Sequence, residues 1–173
     1  VSAFHDLRDI LKEVEIKEGE NTERRCIVKY EFLGCESLEK VTLPDSVICI
    51  EEGAFRNNTA LKEVNLGKVG SIGAYAFADC KNLEYMDLQS ITDIGDHVFD
   101  NTTMLNHIDA NSSFLYGYTG LSNFEGTIRF TDNATARMVQ TLNDSGFYNN
   151  VKKWISPYSD LETISTSQWA SDN

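Results

Sequence analysis

The stretch FLGCESLEKVTLPDSVICIEEGAF, residues 32 to 55, holds one full period of the motif that decides the fold of this 173-residue chain. Its phenylalanine recurs at gaps of 23, 22 and 22 residues, at Phe32, Phe55, Phe77 and Phe99. A leucine follows each of them six residues later, at Leu38, Leu61, Leu83 and Leu105. A fixed period of this size indicates a solenoid in which each copy forms one turn of the chain.

Within one copy, the run L-x-x-V-x-L predicts a short strand. It appears as LEKVTL from residue 38, LKEVNL from residue 61 and LEYMDL from residue 83. Its last three positions alternate apolar, polar, apolar, which is the pattern of a half-buried strand. A weaker copy, LKEVEI at residues 11 to 16, brings the count to about five strand-bearing turns. The charged stretch Lys17 to Arg25 that follows it is predicted to be a protruding loop, and Phe4 lies one residue out of register.

The motif F-x-x-C-x-x-L-x-x-V-x-L-P-x-S-V-x-x-I-x-x-x-A-F resembles the BspA-type leucine-rich repeat. Residues 32 to 55 match it almost completely, and residues 55 to 110 match it with substitutions, such as Asn58 and Thr102 in place of the cysteine. The resemblance implies a right-handed, β-rich solenoid. It also implies secreted or cell-surface proteins of host-associated microbes, some of which adhere to host matrix or to other cells.

The expected fold class is therefore a leucine-rich-repeat solenoid, a β-rich right-handed superhelix of about five turns with a small α+β C-terminal cap. The repeats are predicted over residues 1–110, with a weak first repeat at 4–31 and clear repeats at 32–110. The segment 111–173 is predicted to cap the last turn, because an uncovered hydrophobic end would associate with another copy. It contains a predicted strand at residues 126–130, a helix from Asp132 or Asn133 to Asn143, and a polar tail from Ser165. A separate functional subdomain is the alternative for this segment.

The charge of the chain restricts its partners. The net charge is −12, and residues 32 to 110 carry −8 of it. An acidic repeat surface argues against nucleic acid and against anionic membranes as partners. No stretch is long and apolar enough for insertion into a membrane. A basic protein, a glycan or a calcium-bridged partner remains, and we expect an extracellular or cell-surface location with a signal peptide removed. The oligomeric state is not predicted.

The four cysteines fall into two pairs. Cys35 and Cys80 occupy the same repeat position, which predicts small buried side chains. Cys26 and Cys49 also match each other, and in stacked turns their Cα atoms would be ~5 Å apart, within disulfide range. Side chains of neighbouring parallel strands point side by side, however, and this misaligns the sulfurs. Both a disulfide and two free thiols therefore remain open at this stage.

No catalytic group of residues is recognisable. The three histidines, His5, His97 and His107, lie in different turns or in the leading segment, and none is matched to a serine or cysteine nucleophile. The chain has no glycine-rich phosphate loop and no zinc-ligand spacing. We therefore predict a protein without enzymatic activity and without a cofactor.

The outward residues of the strands are the best candidates for binding. Stacking would place them in two columns, one of Glu13, Lys40, Glu63, Tyr85 and His107, and one of Glu15, Thr42, Asn65, Asp87 and Asp109. The candidate binding face combines a tyrosine with acidic and polar groups, which suits a glycan or a basic loop: Tyr85, Asp87, His107, Asp109, Glu63 and Asn65. A plain solvated sheet is one alternative. A metal held by Asp87, His107 and Asp109 is another, although a flat sheet converges ligands poorly.

Two functions follow from these observations. The first is a binding or adhesion module of a secreted or surface-displayed protein, which recognises a protein or a glycan. The second is a structural spacer or intracellular scaffold without a ligand of its own.

Overall fold

The computed structural model describes residues 5–17, 25–111, 113, 115, 118–131 and 136–155. Phe4, residues 18–24 of the predicted loop, the predicted start of the helix at residues 132–133 and the polar tail lie outside the described residues. The elements, in chain order, are a 3-10 helix at His5–Leu7, β1 (Glu13–Glu15), β2 (Cys26–Ile27), β3 (Lys40–Thr42), β4 (Cys49–Ile50), β5 (Glu63–Asn65), β6 (Ser71–Ile72), β7 (Tyr85–Leu88), β8 (Asp93–Ile94), β9 (His107–Ala110), β10 (Thr127–Phe130), α1 (Ala136–Asp144) and β11 (Lys153–Ile155).

The strands stack in parallel along the solenoid and form two walls. The back wall is one sheet in the order β2-β4-β6-β8. The front wall consists of the sheet β1-β3-β5 and the sheet β7-β9-β10-β11. Every strand pair in both walls is parallel, as a chain that turns once per repeat requires. The predicted β-rich solenoid of about five turns is confirmed.

Between the walls lies a spine of stacked phenylalanine rings. The ring centroids of successive turns are 5.2, 5.4 and 6.3 Å apart, and the rings are parallel to within 11°. The spine residues are all buried: Phe32, Phe55, Phe77 and Phe99. The leucine column is buried as well, so both predicted columns are confirmed. Full burial of one such side chain contributes roughly 1.5–3 kcal/mol, and only the neighbouring turns can provide it.

A residue with positive φ stands two positions before and two positions after each spine phenylalanine. These residues, with φ between 57° and 68°, are Tyr30, Gly34, Gly53, Asn57, Tyr75, Asp79, His97 and Asn101. Left-handed backbone is favoured by glycine, asparagine and aspartate, which explains their recurrence at the second position. At Gly53 a Cβ atom would lie 2.3 Å from Cε1 of Tyr30, so a side chain there would displace the Tyr30 ring.

The C-terminal segment extends the front wall. β10 pairs with β9, and β11 pairs with β10, both in parallel. Val139 and Leu142 of α1 are buried, and the chain leaves the helix through Gly146 at φ 79°. Tyr148 is fully buried, and its hydroxyl donates a hydrogen bond to the carbonyl of Leu115 at 2.6 Å. The division of the chain at residue 110 stays a prediction, since the stacked strands run across it.

The cysteines follow the repeat register. Cys35 and Cys80 are buried, and burial raises the pKa of the Cys80 thiol to about 12. Cys26 and Cys49 lie directly opposite each other on β2 and β4 and are joined by a disulfide with a Cα–Cα distance of 4.6 Å. This distance lies within the usual range for a disulfide. The structure thus decides between the two alternatives that the sequence left open.

Candidate binding face

The front wall is interrupted between β5 and β7. β5 pairs with β3 and β7 pairs with β9, and no pairing joins β5 to β7 within the described chain. At the preceding junction, the carbonyl of Glu39 accepts hydrogen bonds from the amides of Lys62 and Glu63 at 2.9 and 3.1 Å. The corresponding carbonyl of Lys62 receives no such bond from Glu84 or Tyr85. The back wall is continuous at the same level, because β6 pairs with β8.

A cleft of about 310 Å³ lies over this interruption, and we call it the β5–β7 cleft. Glu63 and Asn65 line it from β5, and Tyr85 and Asp87 line it from β7. Its volume is at the lower end of the roughly 300–1,000 Å³ that is typical of ligand pockets. Four of the six residues that the sequence pointed to therefore meet in one concave site.

Tyr85 forms one side of the cleft and is held in place through its hydroxyl. The hydroxyl donates to Oδ2 of Asp109 at 2.8 Å, and the ring is tilted by 41° against His107, with centroids 5.5 Å apart. Partial burial and then the hydrogen bond to Asp109 raise the pKa of Tyr85, so the phenol remains a neutral donor. The side chain is still 41% exposed, which leaves part of the ring available.

Asp109 links Tyr85, His107 and Arg129 on this face and is itself buried. Its side chain is 4% exposed, and Nε of Arg129 and Nε2 of His107 lie 2.7 and 3.0 Å from its Oδ1. A second bond joins its Oδ2 to Nη2 of Arg129. Burial acts to raise the pKa of Asp109, but the hydrogen bonds from Arg129, Tyr85 and His107 outweigh it and hold the pKa below its usual value. The sequence placed Asp109 in the outward column, and the structure shows that both its oxygens are engaged within the chain.

Arg129 is the residue of this face that the sequence reasoning missed. β10 stacks on β9 in a register that places Arg129 directly beside Asp109. The spacing from Ile108 to Ile128 is 20 residues instead of 22, and the segment between them lacks the L-x-x-V-x-L run. The detectable signal was the alternation in T-I-R-F, which has the same pattern as H-I-D-A on β9.

The acidic and polar side chains of the cleft make hydrogen bonds and an ion pair at the ends of β5 and β7. Asp87 accepts from the backbone amide of Gln89 at 3.1 Å and from its side-chain amide at 2.7 Å. On the other side, Asn65 accepts from the amide of Gly67 at 3.0 Å. Glu63 is exposed, and an ion pair of 3.3 Å joins it to Lys40 of the preceding turn. An exposed pair of this kind contributes roughly 0–1 kcal/mol, so Glu63 can exchange its partner at little cost.

The geometry does not favour a metal at Asp87, His107 and Asp109. Across the described ranges, no three His, Cys, Asp or Glu side chains form a group that could hold an ion. The guanidinium of Arg129 already occupies the Asp109 carboxylate, and a cation there would repel a metal ion.

Comparisons with solved structures give the same architecture. A leucine-rich cell surface protein from Faecalibacterium prausnitzii matches 94% of this chain with a TM-score of 0.59 and 23% sequence identity. A leucine-rich repeat protein from Bacteroides ovatus matches 68% of it with a TM-score of 0.51 and 26% identity. The chain spans only 35% and 31% of the lengths of those two proteins. No curated protein sequence gives a significant match.

The repeat motif itself is matched by a family profile. The profile of the BspA type leucine-rich repeat region aligns in six copies with residues 25–153. This range includes β10, α1 and most of the C-terminal segment in addition to the repeats recognised from the sequence. Solenoid proteins of this kind are typically non-catalytic. None of the described helices is long and apolar enough to span a membrane. The chain belongs to the BspA-type leucine-rich repeat family.

Proposed function

We propose that this chain is a non-enzymatic binding module of a surface-displayed protein, and that it recognises its partner through the front wall at the β5–β7 cleft. The observation that carries the proposal is the interruption of the strand ladder where Glu63, Asn65, Tyr85 and Asp87 meet. The partner class is a protein or a glycan, because an aromatic ring beside hydrogen-bonding groups suits both.

The backbone at the cleft supports this proposal. Main-chain groups in a continuous parallel ladder are paired with the next turn, and unpaired groups need water or a ligand. The carbonyl of Lys62 and the amides of Glu84 and Tyr85 lack the inter-turn bonds that their counterparts make elsewhere in the front wall. A ligand in the cleft would replace water on these groups without breaking a protein–protein hydrogen bond.

The rigidity of Tyr85 also supports binding. Its hydroxyl is anchored on Asp109, which is anchored in turn by Arg129, so the ring keeps its orientation without a partner. A preorganised side chain loses little conformational entropy when a partner binds, and this raises the affinity that a small site can reach.

Two observations support a location at the cell surface. Disulfides such as Cys26–Cys49 persist mainly in oxidising, extracytoplasmic environments. The similar protein from F. prausnitzii is described as a cell surface protein. An extracellular position would also expose the acidic repeats to large partners.

The experiment is a binding screen of the purified chain against arrays of extracellular matrix proteins and glycans. The double variant Tyr85→Ala, Asp87→Ala should lose about 2 kcal/mol or more of binding free energy for the ligand that is found, roughly a factor of 30 in Kd. Asp93→Ala, on the exposed side of the back wall, is the matched control and should bind normally. Full affinity in the double variant would place the binding face elsewhere. Absence of any ligand would favour a structural spacer.

A further inference from the structure

We infer that the β5–β7 cleft receives an arginine side chain of a protein partner, with its guanidinium between the Tyr85 ring and the carboxylates of Asp87 and Glu63. The inference rests on the proposed function and names the chemistry of the group that enters the cleft. Three features of the described residues lead to it: the acceptors in the cleft, the ring beside them, and the way in which the same chain places its own cations.

The charged acceptors of the cleft are two carboxylates, and amide and hydroxyl groups of the lining add further acceptors. Asp87 and Glu63 contribute carboxylates, one from each side of the interruption, and the Lys62 carbonyl lacks its inter-turn bond. Among the described residues, the only cation in the lining is Lys62, and its ammonium group is turned toward Glu39 of the preceding turn, at 3.3 Å. A planar group with several N–H donors would join the Gln89 amides on Asp87 and replace Lys40 at the exposed Glu63, and guanidinium is the side-chain group with that geometry.

The ring of Tyr85 adds a second requirement for the ligand. Guanidinium stacks on aromatic faces and is weakly hydrated, so it gains from contact with a ring and a carboxylate together. Tyr85 and Asp87 are two residues apart on β7, and therefore both project from the front wall. Because the hydroxyl of Tyr85 is bonded to Asp109, the ring and not the hydroxyl is what the cleft presents.

The chain itself shows that a tyrosine ring beside a carboxylate accepts a basic side chain. The guanidinium carbon of Arg56 lies 5.2 Å from the centroid of the Tyr75 ring, and its Nε lies 3.7 Å from a carboxylate oxygen of Asp79. In the same way, the ammonium of Lys29 lies 5.1 Å from the ring centroid of Tyr30 and 2.6 Å from a carboxylate oxygen of Glu52. The cleft has the tyrosine and the carboxylates of these arrangements, but none of the arginines in the described part of the chain belongs to its lining.

Charge decides between a basic protein and a glycan. The net charge of −12 attracts a cationic segment and steers it toward the acidic repeats, whereas a neutral glycan gains nothing from this field. Sulfated or uronic-acid glycans would be repelled. A protein partner with an exposed arginine is therefore the ligand that both the cleft and the whole molecule favour.

The test uses pentapeptides of the form acetyl-Gly-Gly-Xaa-Gly-Gly-amide, with arginine or citrulline at the central position, titrated into the full chain and followed by two-dimensional NMR. Citrulline has nearly the shape of arginine but no charge. The arginine peptide should shift the amide signals of residues 62–66 and 84–89, and the citrulline peptide should bind at least about tenfold more weakly, which corresponds to about 1.4 kcal/mol.

Two isosteric variants test whether the cleft, and not the general negative charge, binds the peptide. Asp87→Asn keeps an acceptor for the Gln89 amide, so the turn is retained, and it should weaken arginine binding about five- to tenfold. Asp93→Asn removes the same charge from the back wall and should leave the affinity within about twofold. Equal effects of the two variants, equal binding of the two peptides, or shifts outside the cleft would overturn the inference.

The peptide titration and the array screen can fail independently, so their outcomes distinguish the two proposals. If the double variant Tyr85→Ala, Asp87→Ala loses a ligand found on the arrays while the arginine peptide does not bind, the binding module stands and the guanidinium assignment is wrong. If that ligand is a glycan, the same conclusion holds. If no array ligand depends on the cleft and the peptide does not shift it, both proposals are rejected.

Discussion

The phenylalanine spine and the front wall are built from the same copies of the repeat, yet one is continuous and the other is interrupted. The spine rings stack from Phe32 to Phe99 without a break, with centroid distances of 5.2 to 6.3 Å. The front wall loses its strand pairing between β5 and β7, although the back wall keeps it at that level. One turn can therefore be displaced on one side while the spine and the back wall hold the solenoid together.

The difference has a physical cause in what each position must satisfy. A spine ring stacks on the rings of the turns above and below it, so every turn needs a large ring. Apart from the buried Asp109, the outward residues of the front wall contribute little to the core, so they vary from Glu63 to Tyr85 to His107. Stability is concentrated in the phenylalanine spine, and chemical variety is concentrated in the outward residues of the front wall. Substitutions on the two sides of this division should therefore differ in their effect on stability.

The largest effect is expected in the spine. Phe77→Ala removes a fully buried ring between Phe55 and Phe99 and should lower the free energy of unfolding by about 3–5 kcal/mol, because it leaves a cavity that the neighbouring turns cannot fill. Urea unfolding followed by circular dichroism measures it. Ser90→Ala, in an exposed turn, is the control. An unchanged unfolding midpoint for Phe77→Ala would contradict the division.

The next largest effect is expected in the back wall at the disulfide. Replacing Cys26 and Cys49 by serine removes a cross-link that spans 23 residues, which should cost about 3 kcal/mol through the greater entropy of the unfolded chain. Thermal unfolding with and without a reductant measures it. The serine variant should not respond to the reductant, and a native chain that is equally unresponsive would show that the link adds no stability.

A smaller effect is expected at Asp109 in the front wall. Asp109→Asn keeps the shape but removes the charge that Arg129 and His107 face, and it should cost about 2 kcal/mol near pH 7. Because the folded pKa of Asp109 is lowered, its contribution is present above the unfolded value near 4 and is lost as the pH falls through the folded value.

The pH dependence provides the check on Asp109. Urea unfolding between pH 2.5 and 7 should show the native chain and Asp109→Asn converging in stability below about pH 4. A stability difference that stays constant over this range would mean that Asp109 does not titrate differently in the folded and unfolded states.

The smallest effect is expected at the rim of the cleft, where Asn65→Ala removes one exposed hydrogen bond to the amide of Gly67 and should cost about 0.5 kcal/mol. Asn58→Ala is its matched comparison beside the spine. The amide of Asn58 is fully buried and donates to the carbonyls of Phe32 and Phe55, so its loss should cost several times more. Equal losses of unfolding free energy in the two variants would contradict the difference in stability between the spine and the front wall.

Much of the fold follows from the sequence because its determinants are local and periodic. The 22-residue period fixes the phenylalanine and leucine columns, and the alternation in L-x-x-V-x-L fixes which residues face outward. The observed registers agree with the columns read from the sequence, for example Lys40 beside Glu63 and Tyr85 beside His107. Even the pairing of Cys26 with Cys49 follows from this register, although the bond itself does not.

The interruption of the front wall and the role of Arg129 could not be predicted from the sequence. LKEVNL fits the motif fully and LEYMDL differs only by Met86 in place of valine, so the sequence gives no sign that their strands separate. The separation depends on how successive turns stack, which is a property of the whole solenoid. Arg129 meets Asp109 only because β10 stacks on β9 after an irregular segment of chain. From the sequence alone, the buried carboxylate of Asp109 was therefore predicted to be exposed.

The disulfide has a consequence for how the chain would respond to mechanical force. A solenoid pulled at its two ends lengthens by peeling off turns, and each released residue adds roughly 3.5 Å of contour length. The cross-link between Cys26 and Cys49 withholds the 23-residue span between them, about 80 Å, from that extension. Tension would thus bypass the segment between the two cysteines, and a single-molecule pulling trace recorded in reducing buffer should be longer by that amount.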